Sequence, residues 1–188
     1  ETQSFISRDP AKLYRIKFLL TAIARSHKPK ILAIDHGMGG GVAQHVKELA
    51  CSFEKAIFLR LQPTSKHQVT LELSVRFELK DSLTFDVQTQ YADLVAVCQF
   101  LAIGHIHCHH LNGLPEPLLS LHQDLRCHYD VTVHDYYFIN GNPTLTDKSG
   151  KFCGNAPNRD ELCRVSCPIP LPVKDWKKKS ALFLSQAD

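Results

Sequence analysis

A run of glycines lies between a predicted strand and a predicted helix. The apolar run at residues 31–34 leads through a short polar segment into Gly39-Gly40-Gly41. Glycine lets the backbone approach a phosphate closely, and the free N–H groups and dipole of a helix N-terminus favour an anion. A tight turn packed on another segment is the alternative, and the motif alone favours neither. It is not a dinucleotide fingerprint, because Val42 stands where the last glycine belongs, and no Gly-Lys-Ser/Thr follows to make a P-loop.

Histidines form a second set of candidate residues. His105, His107 and His109 alternate along the chain, so on an extended segment they face one way, as metal ligands could. Histidines that line a cleft or form hydrogen bonds are the favoured alternative, because no acidic or cysteine partner has the right spacing. His134 follows another apolar run, and its ordinary pKa near neutrality suits proton transfer or hydrogen bonding. The neighbouring Asp135 points away along a strand, so the two are not by themselves a dyad.

Three cysteines lie close together in a stretch rich in Asn, Gly and Pro. Cys153, Cys163 and Cys167 have the spacing C-x9-C-x3-C, which suits a loop held by zinc if a fourth ligand completes the tetrahedron. Free thiols or an adventitious disulfide are the favoured alternative. The chain has seven cysteines, an odd number, and no secretory signal is visible. This favours a reducing cytoplasm over an oxidising compartment.

Alternating strands and helices must position these residues. Strands are predicted at residues 31–34, 56–61, 103–107 and 129–133, and helices at about 42–53, 91–101 and 115–125. Period-two alternation over residues 69–87 predicts an antiparallel hairpin at one sheet edge, with its turn near residues 80–82. The predicted fold class is therefore α/β, with a Rossmann-like, doubly wound, mainly parallel sheet. Ligands bind beyond the carboxyl ends of such strands, where the glycine run, the histidines and His134 fall.

The sequence also predicts helices near both ends of the chain. Residues 1–28 are expected to be an N-terminal helical linker that Asp9-Pro10 caps, and residues 29–188 to be the Rossmann-like domain. Residues 140–172 are expected to be an irregular surface excursion, followed by a last helix that Asp175 caps. Glu1 is not a natural start, so we expect the chain to be part of a longer protein.

Composition narrows the classes of function. The 188 residues, 44% hydrophobic and 22% charged, suit one globular domain, with or without a small appendage. The net charge of +3 and the scattered basic residues do not favour a nucleic-acid partner. The one basic cluster, Lys174 with residues 177–179, is more typical of a solvated helix face than of a membrane-binding patch. The sequence has no run of 18 apolar residues that would predict a transmembrane helix.

An ordered series of motifs resembles retaining GT-B glycosyltransferases, in the bacterial subset tied to O-antigen and related polysaccharides. Gly39-Gly40-Gly41-Val42-Ala43-Gln44-His45-Val46 is similar to their GGV-x-x-H-V opening, and residues 131–139 to their T-x-H-D-Y-Y segment. Lys151-Phe152-Cys153-Gly154 with the later cysteines is similar to a loop of that subset, and residues 105–110 to its histidine-rich strand end. The resemblance spans residues 29–188. Asn140-Gly141 stands where the family often has Cys-Pro, which argues against a four-thiol zinc site.

The resemblance implies the N-terminal, acceptor-side half of a two-domain hexosyltransferase. Such an enzyme transfers a sugar from a nucleotide-diphosphate sugar to a glycan or lipid-linked acceptor, with retention and without an obligatory metal or cofactor. A C-terminal donor-binding domain of the same chain would complete it, so this fragment alone is expected to be inactive. The implied location is cytoplasmic, with room for a peripheral contact at the inner face of the membrane.

The resemblance also assigns roles to residues. His134 and Asp135 are expected to be catalytic, and Gly39-Gly40-Gly41 to face the donor diphosphate. His36, His107, His109 and Tyr136 are expected to line the acceptor cleft. Acceptor specificity is expected in the hairpin 69–87 and the loop 140–172, because loops on a rigid scaffold commonly carry recognition. The alternative is a non-catalytic Rossmann-like module that binds a glycan or a protein, with or without a zinc staple.

Overall fold

The chain folds into two compact units. The structure, a computed structural model, describes residues 9–75, 79–154, 156–164 and 171–188. The first unit extends to Thr132 and includes Asp188, and the second runs from Val133 to Ala187.

The first unit contains a six-stranded mixed sheet. Its strands are β1 (Lys30–Ile34), β2 (Ile57–Pro63), β3 (Gln68–Val75), β4 (Leu79–Asp86), β5 (Ile103–Cys108) and β6 (His128–Val131). Their order across the sheet is β4-β3-β2-β1-β5-β6. Strands β2, β1, β5 and β6 are parallel, whereas β3 and β4 are antiparallel at one edge. The predicted α/β class, with a mainly parallel sheet and an edge hairpin, is confirmed.

Helices alternate with these strands and cover the sheet. They are α1 (Pro10–Arg25), α2 (Gly40–Ser52), α3 (Tyr91–Phe100), a 3₁₀ helix (Glu116–Ser120) and α4 (Leu121–Leu125). Helix α1 begins as predicted, because the Asp9 carboxylate accepts the Ala11 N–H at 3.0 Å and Pro10 occupies the first helical position. Its apolar side, with Leu19 and Ile23 fully buried, packs against β3 and β4.

The core of this unit lies on the sheet. Leu32, Leu61, Leu71 and Phe85, from four different strands, have no exposed surface or almost none. Full burial of such a side chain contributes about 1.5–3 kcal/mol, so these positions hold the strand ends in place.

The edge hairpin turns at a different point from the one predicted. Residues 80–82 lie within β4 and pair with β3, so they do not form the predicted turn; residues 76–78 lie outside the described residues. The sequence prediction was wrong because Asp81 looks like a turn residue. Its side chain is instead only 5% exposed and is paired with Arg15 of α1 at 2.6 Å. A polar residue on the inward side of a strand needs such a partner, which cannot be read from the local sequence.

The second unit has its own helices and its own small core. The helices are α5 (Tyr137–Asn140), α6 (Arg159–Arg164) and α7 (Val173–Ser185). The indole N–H of Trp176 donates to the Tyr137 carbonyl at 2.7 Å, and the Phe138 and Phe183 rings stack. Helix α7 begins at Val173 with Pro172 at the N-cap position, so the predicted cap at Asp175 is wrong.

None of the helices in the described segments is both long and apolar enough to cross a bilayer.

Candidate functional site

The order of the strands across the sheet reverses direction at β1. Strand β2, which follows β1 in the chain, lies on one side of it, and the later strand β5 lies on the other side. In open parallel sheets such a reversal leaves a crevice beyond the carboxyl ends of the strands. Here the loops that follow β1 and β5 meet: the His36 and His110 rings lie edge to face at 4.9 Å, and the Asn112 amide nitrogen is 4.0 Å from the Met38 sulphur.

Asp35 holds the loop after β1 in place. The carboxylate has no exposed surface and accepts hydrogen bonds from Arg60 at 2.5 and 3.1 Å, from Gln62 at 2.9 Å and from the Gly37 N–H at 2.7 Å. Burial alone would raise the pKa of Asp35, but the hydrogen bonds from Arg60, Gln62 and Gly37 outweigh it and lower the pKa. The loop that carries the glycine run is therefore tied to β2 by a buried charged cluster.

The glycine run lies at the N-terminus of α2 in an open setting. Gly39 and Gly40 have φ values of 78° and 70°, which favour glycine because a Cβ would be strained there. A Cβ built on Gly39, Gly40 or Gly41 would meet no described atom within 4 Å. The structure shows no side-chain hydrogen bond capping α2 and no acidic residue in its first turn, in the described part of the chain. The N–H groups of this turn therefore have the setting that an anion requires.

Two histidines beside this loop have a defined tautomer in their neutral form. The His36 Nδ1 atom accepts the Met38 N–H at 3.0 Å, and the His110 Nδ1 atom accepts the Asn112 N–H at 2.9 Å. Each neutral ring therefore carries its proton on Nε2, as a hydrogen-bond donor. Sequence reasoning placed His36 in the acceptor cleft and counted His110 only as a member of the histidine cluster; His110 is buried just beyond the end of β5.

A small cavity of about 270 Å³ adjoins the same loops. Its walls include His36, Thr64, Lys66 and Asn112, which follow the ends of β1, β2 and β5. A hydroxyl, an ammonium and an amide around one cavity suit a polar or anionic group. Sequence reasoning missed Thr64 and Lys66, because no signal marks the loop between β2 and β3 as functional.

A larger groove of about 870 Å³ lies between α2 and strands β2 to β4. Its lining includes Gln44 and Lys47 from α2, Arg60 from β2, and Glu72 and Ser82 from the edge hairpin. The outward residues of the hairpin thus form one wall of a groove lined by charged and hydroxyl groups.

The alternating histidines also lie on one side of the sheet, as predicted. The His107 ring stacks on His109 at 4.3 Å, and His109, which has no exposed surface, meets His45 of α2 edge to face at 5.5 Å. His107 and His109 are thus brought to the helix that begins with the glycine run.

The other predicted site residues belong to the second unit. Strand β6 ends at Val131, two residues before the predicted end, so His134 and Asp135 follow it in a loop. The Asp135 carboxylate accepts the Tyr137 N–H at 2.9 Å at the start of α5, and His134 is half-buried. Tyr136 is 43% exposed, with its ring 5.9 Å from that of Phe152.

The cysteine cluster is partly described. Cys153 and Cys163 are buried beside Leu145, with their sulphur atoms 2.6 Å apart. Burial, with the neighbouring Cys153 thiol, raises the pKa of Cys163 to about 12. Cys167 lies outside the described residues, so the zinc-held loop stays a prediction. The stretch is not merely irregular, because these side chains form a small core of their own.

Comparison of the chain with known protein families, with curated proteins and with solved structures finds no match.

Proposed function

We propose that this chain is the acceptor-side domain of a retaining glycosyltransferase with a Rossmann-like, doubly wound sheet. It would act with a donor-binding domain C-terminal to it in the same polypeptide. The reaction is the transfer of a hexose from a nucleotide-diphosphate sugar to a hydroxyl of a glycan or lipid-linked acceptor. The ordered motifs of the sequence suggest this family.

One observation of the structure carries the proposal. The open glycine run at the N-terminus of α2 lies at the strand reversal, beside the loop that follows β5. The free N–H groups there suit the charge that develops on a departing nucleoside diphosphate, and no metal is needed for that stabilisation. The Asp35 cluster supports the role, because preorganised donors do not have to reorient as charge develops.

Two further features fit the acceptor role. The groove beneath α2 offers the carboxylate of Glu72 and the hydroxyl of Ser82, groups that hydrogen-bond sugar hydroxyls. The Nε2–H group of His36 is a donor for a polar ligand near the strand ends. In this proposal His134 approaches the reacting sugar when the donor domain is present, and Asp135 and Tyr136 support it.

The test uses a polypeptide that contains both domains. It is incubated with a panel of nucleotide sugars and a lipid-linked acceptor extract, and release of nucleoside diphosphate is followed. We expect turnover with one donor, and a loss of about 10²–10⁴-fold in His134→Ala, the usual contribution of a positioned acid–base group. His67→Ala, a half-buried histidine in the loop before β3, is the matched control and should keep full activity.

A second measurement isolates the glycine run in the present chain. Nucleoside diphosphate is titrated into isotope-labelled protein, and the backbone amide signals of Gly39, Gly40 and Gly41 are followed by NMR. Shifts that saturate at these amides support diphosphate binding there. Absence of shifts, together with absence of turnover in the two-domain protein, would overturn the transferase proposal in favour of the non-catalytic module.

A further inference from the structure

Strands β5 and β6 bring two histidines and a carboxylate together on one face of the sheet. The strands are parallel, and His107 is in register with Asp130. His105 Nε2 lies 3.1 Å from one Asp130 oxygen, and His107 Nδ1 lies 3.1 Å from the other. The ligand-capable atoms of the three side chains all lie within 4.8 Å of one another.

We propose that His105, His107 and Asp130 bind a divalent transition-metal ion, with zinc as its best-fitting representative. Two imidazoles and one carboxylate are a common donor set for catalytic zinc and for other open metal sites. At zinc–ligand distances of about 2.0–2.1 Å, tetrahedral ligands lie roughly 3.3 Å apart, close to the two 3.1 Å separations here. The two imidazole nitrogens lie within 4.8 Å of each other, so small rotations of the histidine side chains bring all three ligands to one ion.

The outer contacts of His107 fit this role. Its second ring nitrogen, Nε2, lies 2.7 Å from the Thr132 hydroxyl, which belongs to the segment just after β6. When Nε2–H donates to that hydroxyl, the neutral ring presents the lone pair of Nδ1 toward Asp130, which is the tautomer that metal binding requires. The His109 ring stacked on His107 further fixes the plane of the ligand.

The proposed site is open to solvent and leaves one coordination position unfilled, as functional metal sites do. The three ligand side chains are 31%, 18% and 41% exposed, so an ion can enter from solvent. Three protein ligands leave a fourth position for water or for an oxygen of a bound molecule. The site therefore suits an oxygen-bearing ligand near the row of histidines that leads to α2.

The test measures zinc binding to the full 188-residue chain. The protein is prepared without a histidine tag, stripped with a chelator and titrated with Zn²⁺ alone by calorimetry. Cys153→Ser is the background for every measurement, so that the adjacent Cys153 and Cys163 thiols cannot hold the ion together. We expect one equivalent to bind, and the ligand-field bands of Co²⁺ in its place to show low coordination without thiolate charge transfer.

Variants locate the site. His105→Ala and the near-isosteric Asp130→Asn should each weaken zinc binding by more than about 100-fold, whereas Thr132→Val, which removes an outer contact, should weaken it by about 10–100-fold. His67→Ala should bind zinc like the parent. Circular dichroism confirms the fold of each variant. Absence of stoichiometric binding, or binding that survives both His105→Ala and Asp130→Asn, would show that these side chains form a hydrogen-bonded network only and would overturn the proposal.

Discussion

Removal of the Asp35 carboxylate should destabilise the first unit strongly. Asp35→Ala breaks four hydrogen bonds at once, two of them from the Arg60 guanidinium, and leaves that cation without its buried partner. Breaking a buried ion pair by loss of one partner costs about 3–5 kcal/mol. Because the Arg60 side chain is 25% exposed and water can solvate part of it, we expect the lower end, about 3 kcal/mol at pH 7.

The assay is urea denaturation followed by far-UV circular dichroism. The single tryptophan, Trp176, lies in the second unit and would not report on the sheet. Arg60→Ala and the double variant complete a cycle, in which the double variant should lose less than the sum of the single losses. Lys177→Ala removes an exposed ion pair with Asp160 and should cost no more than about 1 kcal/mol.

The loss should also depend on pH in one direction. The folded pKa of Asp35 is lowered, so its contribution is fully present above the unfolded pKa of about 3.9 and is lost as the pH falls toward the folded pKa. The difference between parent and Asp35→Ala should therefore be constant from about pH 5 to 8 and shrink below about pH 4. A loss below about 1 kcal/mol at pH 7, or a difference unchanged into strong acid, would refute the buried-cluster reasoning.

Two further predictions concern backbone conformation and thiol access. Gly40→Ala places a Cβ at a φ of 70° and should destabilise by about 1–2 kcal/mol, whereas Gly41→Ala, with open space and no such φ, should stabilise by about 0.5–1 kcal/mol in urea denaturation. Opposite signs would contradict the loop conformation. Cys51 is exposed, but burial raises the pKa of Cys98 and Cys108 to about 12, so in native protein iodoacetamide should modify Cys51 and spare both buried thiols, as mass spectrometry can check. Rapid native modification of Cys98 would contradict its burial.

Most of the sheet could be predicted from the sequence, but the hairpin turn and the small core around Cys153 and Cys163 could not. Strands β1, β2 and β5 were predicted to within about two residues, and the apolar run of β1 fits a strand that is buried along most of its length. The hairpin turn was misplaced, because the partner of Asp81 comes from α1, far away in the chain. The core around Cys153 and Cys163 was read as an irregular stretch, because its few apolar residues have no period.

The candidate sites, too, were only partly predictable from the sequence. The glycine run was predictable, because its chemistry is local to one loop and the helix that follows. The acidic partner of His105 and His107 was not predictable, because Asp130 is distant from them in the sequence. Asp130 reaches them only because β6 pairs with β5 in parallel register, after an intervening helix. Ligand sets of this kind become visible only when strand order is known.

The two proposed sites also depend on different pairs of strands. The glycine run depends on β1 and its Asp35 cluster with β2, whereas the proposed metal ligands depend on the pairing of β5 with β6. Stabilisation of a diphosphate by helix N–H groups needs no ion, so chelation should leave the amide response of the glycine run intact. The metal would instead act on an oxygen of whatever binds along the histidine row. A chelator that abolished both properties would mean that the ion holds β5 against the rest of the sheet, and that its role is structural.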